Sequence, residues 1–139
     1  MTEAPMGLFT EEHDMFRTLV RDFVEGEIEP HAEEWEASGM FPARELFPKL
    51  GALGLLGLQY EAEYGGGEAD PIYQTIFAEE MGRMSCLGVA MAIGVQTDMA
   101  TPSLARFGSP ELKEQFLRPA IAGTSIAAIG VTEPDAGSD

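Results

Sequence analysis

The sequence predicts a mainly α fold, an up-and-down helical bundle of five to six helices followed by one β-strand. Three observations carry this expectation. Apolar residues recur at spacings of three and four behind N-capping residues, the pattern of helices that bury one stripe. From Leu87 to Phe107 the chain is apolar over most of its circumference, as expected of a central helix buried on several sides. Ser125 to Val131 is short, β-branched at three positions and bounded by turn residues, which argues for a strand.

The first helix opens at Thr10, an N-cap followed by Glu11 and Glu12, whose charge suits the positive helix end. Phe16, Leu19, Val20, Phe23, Val24 and Ile28 form its core-facing stripe, which ends near Pro30. A short helical stretch from His31 to Glu36 precedes the turn residues Ser38 and Gly39. Pro42 opens the next helix, which carries Leu46, Phe47, Leu50 and Leu53. Gly65-Gly66-Gly67 marks a loop, since consecutive glycines carry the highest backbone entropy cost in a helix or strand. The run lacks a P-loop lysine, so it reads as a connecting turn and not as a phosphate cradle.

Asp70 and Pro71 then read as N-cap and first helical residue. Tyr73, Ile76, Phe77, Glu80, Met81 and Met84 continue one face, which Glu80 interrupts. The central helix follows, bent or broken at Pro102 and ended by Gly108. Ser109-Pro110-Glu111 starts the last helix, with Leu112, Phe116, Leu117 and Ile121 as its apolar residues. The strand after it is alone, and a lone strand needs partners from further sequence or another chain.

A chain of 139 residues can bury roughly 68% of its unfolded surface, enough for one hydrophobic core. Eight Lys and Arg against 24 Asp and Glu give a net charge of -16, which repels phosphate backbones and anionic lipid and argues against nucleic-acid binding. Cys86 is the only cysteine and forms no internal disulfide, which fits a reducing compartment; cytoplasmic is the expected location. The first residues lack a basic n-region or apolar h-region, and the apolar run from Leu87 to Val95 is about half the ~18 residues a membrane span needs. No metal site is expected: His13 and His31 are isolated in sequence and read as residues of solvated helix faces. Glu33-Glu34 and Glu79-Glu80 read as exposed charge.

The most distinctive run is the last, Thr132-Glu133-Pro134-Asp135-Ala136-Gly137-Ser138-Asp139 behind Ile129-Gly130-Val131. With the helices and the Gly-rich loop before it, this ending strongly resembles the acyl-CoA dehydrogenase flavoprotein family, across nearly all of the chain. The resemblance implies an N-terminal helical domain over residues 1–124 and the start of a middle β-domain over 125–139, truncated from a three-domain flavoprotein with an α, a β-barrel-like and a second α part. It implies α,β-desaturation of acyl-CoA thioesters, in which a carboxylate removes an α-proton while the β-hydrogen leaves as hydride to N5 of FAD.

By the same resemblance, main-chain groups of Ile129 and Val131 contact the isoalloxazine ring and the Thr132 hydroxyl bonds its polar edge, a task suited to a group that both donates and accepts. Ser138 matches the position that contacts the pantetheine arm, where Gly137 allows close approach. Val95, Gln96 and Met99 lie on the helix that helps wall the acyl pocket, with core packing the competing reading for each. The family's base lies in its C-terminal helices, so no catalytic residue is assigned here and the fragment alone is expected to be inactive. The implied partners are an acyl-CoA substrate, an electron-transfer flavoprotein and further copies in a homotetramer, in the setting of fatty acid metabolism. Two other readings stay open: a stand-alone helical interaction or acyl-CoA-binding module, and an acyl-CoA oxidase or flavin monooxygenase relative, in which reduced flavin meets oxygen.

Overall fold

Thr10 takes up extended backbone geometry and starts α1 (Glu11–Glu27). Its hydroxyl accepts the His13 N–H, while His13 Nδ1 accepts the Thr10 N–H at 3.0 Å, a reciprocal capping box with histidine in the usual place of Glu or Gln. The computed structural model describes residues 8–137, so Ser138 lies outside the described residues. A 3₁₀ turn (Glu29–His31) leads into α2 (Ala32–Ser38), which Gly39 ends in the left-handed region at φ 68°. α3 (Ala43–Ala52) follows, then the glycine loop and α4 (Pro71–Met81). α4 is capped by Asp70, whose Oδ1 accepts the Ile72 N–H at 2.7 Å.

The long central helix is three segments without a break: α5 (Leu87–Gly94), a π-helical stretch (Val95–Ala100) and α6 (Thr101–Phe107). Pro102 sits in the first turn of α6, where its missing N–H costs least. Gly108 closes the run by donating to Leu104 O at 2.8 Å. The last helix is built the same way, from α7 (Pro110–Leu112) through a π stretch (Lys113–Leu117) to α8 (Arg118–Ile121). Ser109 caps it, accepting the Leu112 N–H. The expected mainly α fold is what the described chain adopts.

α1 packs along α4. Val20, Phe23 and Val24 of α1 and Ile28 at its C-cap meet Leu46, Phe47 and Leu50 of α3, Phe77 and Met81 of α4, and Val89 and Ile93 of α5 in one core. Fully burying each such side chain stabilises by about 1.5–3 kcal/mol before the entropy of ordering it is counted. A smaller cluster joins Tyr60 and Tyr64 to Leu117 and Ile121 of the last helix.

Several expectations change. The central helix is buried along one side only: Val89, Ile93, Gln96, Thr97 and Thr101 face inward while Leu87, Met91, Met99 and Phe107 are exposed. Apolar composition does not say which faces find a partner. Leu19, Leu53, Leu112 and Phe116 are exposed for the same reason. His13 is not solvated but 5% exposed, packed against Tyr73 with Nε2 3.4 Å from Asp70 Oδ2. Glu80 is 2% exposed because arginines from α1 cover its carboxylate. His31, Glu33, Glu34 and Glu79 are exposed as expected. Ser125 to Val131 has no ladder partner among the described residues, which leaves it irregular; the chain then closes a tight turn, with a bridge between Glu133 and Ala136 around Pro134-Asp135.

Candidate functional site

The π stretch of the central helix is where polar side chains enter an otherwise apolar element. A π segment shifts the hydrogen-bond ladder by one residue and leaves main-chain carbonyls in need of other donors. Thr101 Oγ1 donates to Gln96 O at 2.5 Å, and Gln59 Nε2 donates to Thr97 O at 3.1 Å. Tyr60 Oη lies 3.0 Å from Thr97 O and 2.6 Å from Thr101 Oγ1, tying the segment to the loop before the glycine run. Burial pushes the Tyr60 phenol above its ordinary pKa, which keeps it a neutral donor. Thr97 Oγ1 in turn lies 3.1 Å from Ile93 O, as donor.

Gln96 points the other way, toward the end of the last helix. Its side chain is 0% exposed. Nε2 donates to Ala120 O at 2.9 Å and to Ser125 O at 3.0 Å, and Oε1 accepts the Ala127 N–H at 2.6 Å. The helix thereby holds the first residues of the segment that carries Ile129, Val131 and Thr132.

Beyond that tie the segment is open. Val131 is 82% exposed, and Ile129 and Thr132 are exposed as well. Among the described residues, no hydrogen bond uses the main chain of Ile129, Gly130, Val131 or Thr132, or the Thr132 hydroxyl. Val95 is half-buried and Met99 is exposed on the central helix. Of the expected site residues, only Gln96 is joined by hydrogen bonds to the terminal segment among the described residues, and Ser138 lies outside them. A cavity of about 40 Å³ beside the π stretch, lined by Leu55, Leu58, Gln59, Phe77 and Thr97, has room for a water and not for an acyl chain.

Sequence reasoning passed over Tyr60, Thr97 and Thr101. The signal available was the recurrence of Gln96, Thr97 and Thr101 inside an apolar helix, at a spacing that keeps three polar groups off the solvent. The described residues contain no group of three His, Cys, Asp or Glu able to hold a metal, and no helix long and apolar enough to cross a membrane.

Residues 10–124 match the family described as acyl-CoA dehydrogenase, N-terminal domain. The chain is 39% identical over 132 residues to the mitochondrial long-chain specific acyl-CoA dehydrogenase of Rattus norvegicus, covering 95% of this chain and 30% of that protein. Among solved structures, glutaryl-CoA dehydrogenase from Mycobacterium smegmatis superposes with a TM-score of 0.84 at 35% identity, covering 95% of this chain and 34% of that one. An acyl-CoA dehydrogenase complexed with FAD from Bacillus anthracis does so with a TM-score of 0.84 at 31% identity, covering 99% and 23%. The chain spans about a third of the length of the curated relatives it matches.

Proposed function

Because the chain belongs to the acyl-CoA dehydrogenase family, whose N-terminal domain it matches over residues 10–124, we propose that the protein carrying it desaturates acyl-CoA thioesters between Cα and Cβ. FAD is the proposed cofactor, and the residues at hand fit it. The carrying observation is the run from Ile129 to Thr132, with its main-chain donors and acceptors unused among the described residues, on a segment anchored at its root by Gln96. A flavin ring offers alternating donors and acceptors along its polar edge, and such a run can answer them.

Bound FAD supplies the hydride acceptor: the substrate's β-hydrogen leaves as hydride, its α-hydrogen as a proton to a base, and the two electrons pass on to an electron-transfer flavoprotein. Main-chain groups of Ile129 and Val131 bind the ring, with Gly130 presenting no side chain between them. The Thr132 hydroxyl bonds the polar edge. Ser138 contacts the pantetheine arm, and Val95 and Met99 border the acyl chain. No residue of this chain is assigned as the base. Assembly as a homotetramer and a cytoplasmic location complete the reading.

The test is acyl-CoA-dependent reduction of an artificial electron acceptor by the intact protein, with mass analysis of the thioester. Reduction of the dye together with an enoyl-CoA product two hydrogens lighter is expected. A colourless protein that binds acyl-CoA without turnover overturns the reading in favour of a helical binding module. Enoyl-CoA formation coupled to oxygen consumption instead of dye reduction overturns it in favour of an oxidase relative.

A further inference from the structure

The side chain of Gln96 carries more of the terminal segment than its place on an acyl-pocket helix suggests. Both its amide hydrogens are used on main-chain carbonyls, those of Ala120 and Ser125, and its oxygen receives the Ala127 N–H. This arrangement also fixes the amide orientation, since two carbonyls can face only the NH₂ group and an N–H only the oxygen. These partners lie 24, 29 and 31 residues further along the chain. From Ile126 to Thr132, the Ala127 bond to Gln96 is the only hydrogen bond among the described residues. Ser125 N–H also donates to Pro119 O at 3.1 Å, so the Gln96 carboxamide is the last tie among the described residues before Ile129, two residues upstream of it.

Core packing alone does not account for this choice of residue. A methionine fills nearly the same volume and would leave the Ser125 carbonyl and the Ala127 N–H without protein partners, while the Ala120 carbonyl would keep only the Gly123 N–H, at 3.1 Å. Nor are the amide hydrogens available to a substrate, as both are committed to protein. We propose that Gln96 is a positioning residue for the cofactor-binding run: its amide sets the height and direction at which Ile129, Val131 and Thr132 leave the helical domain. The assignment rests on the flavin reading above.

The experiment compares wild type, Gln96→Met, Gln96→Glu and Ile93→Val in the intact protein, reading FAD retention, the flavin visible spectrum and hydrogen exchange along 125–132. Gln96→Met is expected to weaken FAD binding about tenfold, as for loss of the two part-buried hydrogen bonds to the segment, with a displaced visible band and faster exchange at Ala127. Gln96→Glu keeps the acceptor for Ala127 N–H but sets a carboxylate against two carbonyls, so it also weakens binding. Ile93→Val loosens the same helix face one turn earlier and is expected to lower thermal stability while leaving FAD affinity and the band in place.

A flavin-loaded wild type with Gln96→Met indistinguishable from it in affinity and spectrum overturns the assignment alone. A wild type that carries no flavin overturns the functional reading and the assignment together. If Gln96→Met fails to fold, exchange in the wild type decides: a protected Ala127 amide supports the tie, and an unprotected one overturns it.

Discussion

Glu80 gathers three of the eight cations of a chain with net charge -16. Arg21 grips both carboxylate oxygens, at 3.0 and 2.8 Å, and Arg17 reaches Oε1 at 3.0 Å. The Arg21 hydrogen bonds, reinforced by Arg17, hold the Glu80 carboxyl below its ordinary pKa against the opposing effect of burial. A carboxyl with a lowered folded-state pKa adds stability that is fully present above its unfolded value of about 4.3 and is lost as pH falls through the folded value. Urea unfolding across a pH series is therefore expected to show wild type losing stability below that unfolded value. Glu80→Gln should show a smaller loss over the same window, and equal slopes would contradict the assignment. At neutral pH Glu80→Ala should cost about 1–3 kcal/mol, less than the ~3–5 kcal/mol of a fully buried pair because the freed arginines can turn to solvent. The sequence shows Glu80 as an interruption of an apolar face. Arg83 is a local partner three residues on, but Arg21 and Arg17 stand 59 and 63 residues away, so local spacing has no means of finding them. His13 is the same case: its bond to Thr10 is local, but its burial comes from Tyr73 of α4 and the cap residue Asp70.

At the scale of elements, two glycines decide how the last helix meets α3. A Cβ at Gly51 would stand 2.3 Å from Ala122 O, and Gly123, at φ 73°, would place one 2.1 Å from Phe47 O. Both obstacles are backbone and cannot swing aside. Gly51→Ala is expected to cost at least about 1–3 kcal/mol by forcing the two helices apart. Gly26→Ala, on α1 with nothing within 4 Å, should instead stabilise by about 0.5–1 kcal/mol. Thermal unfolding of the pair checks both signs. The π stretch offers a second contrast. Thr101→Val removes the donor to Gln96 O and a partner of Tyr60, at a cost of about 1–3 kcal/mol. Tyr60→Phe should cost less through Thr97, whose carbonyl keeps the Gln59 amide. Caps and breaks were legible here, because Thr10, Asp70, Ser109 and Gly108 act within three or four residues of themselves. The π geometry was not, since it depends on Tyr60 and Gln59 arriving from a different element.

For the molecule as a whole, the helical architecture was readable and its coverage was not. An apolar circumference on the central helix announces partners without saying where they sit, and among the described residues Leu87, Met91 and Met99 face outward. The terminal run was legible for the opposite reason: its residues are contiguous, so the pattern needs no folding to be seen. What the fold adds is the tie from Gln96 to that run, which no spacing rule connects. In the proposed function this run faces a flavin used for acyl-CoA oxidation. The most direct test of this is the visible spectrum of the intact protein, purified without added flavin and titrated with acyl-CoA in the absence of oxygen. A yellow protein whose flavin band bleaches in proportion to acyl-CoA, and recovers on adding an electron acceptor, is the expected result. A protein without a flavin band, or a flavin band indifferent to acyl-CoA, would contradict it.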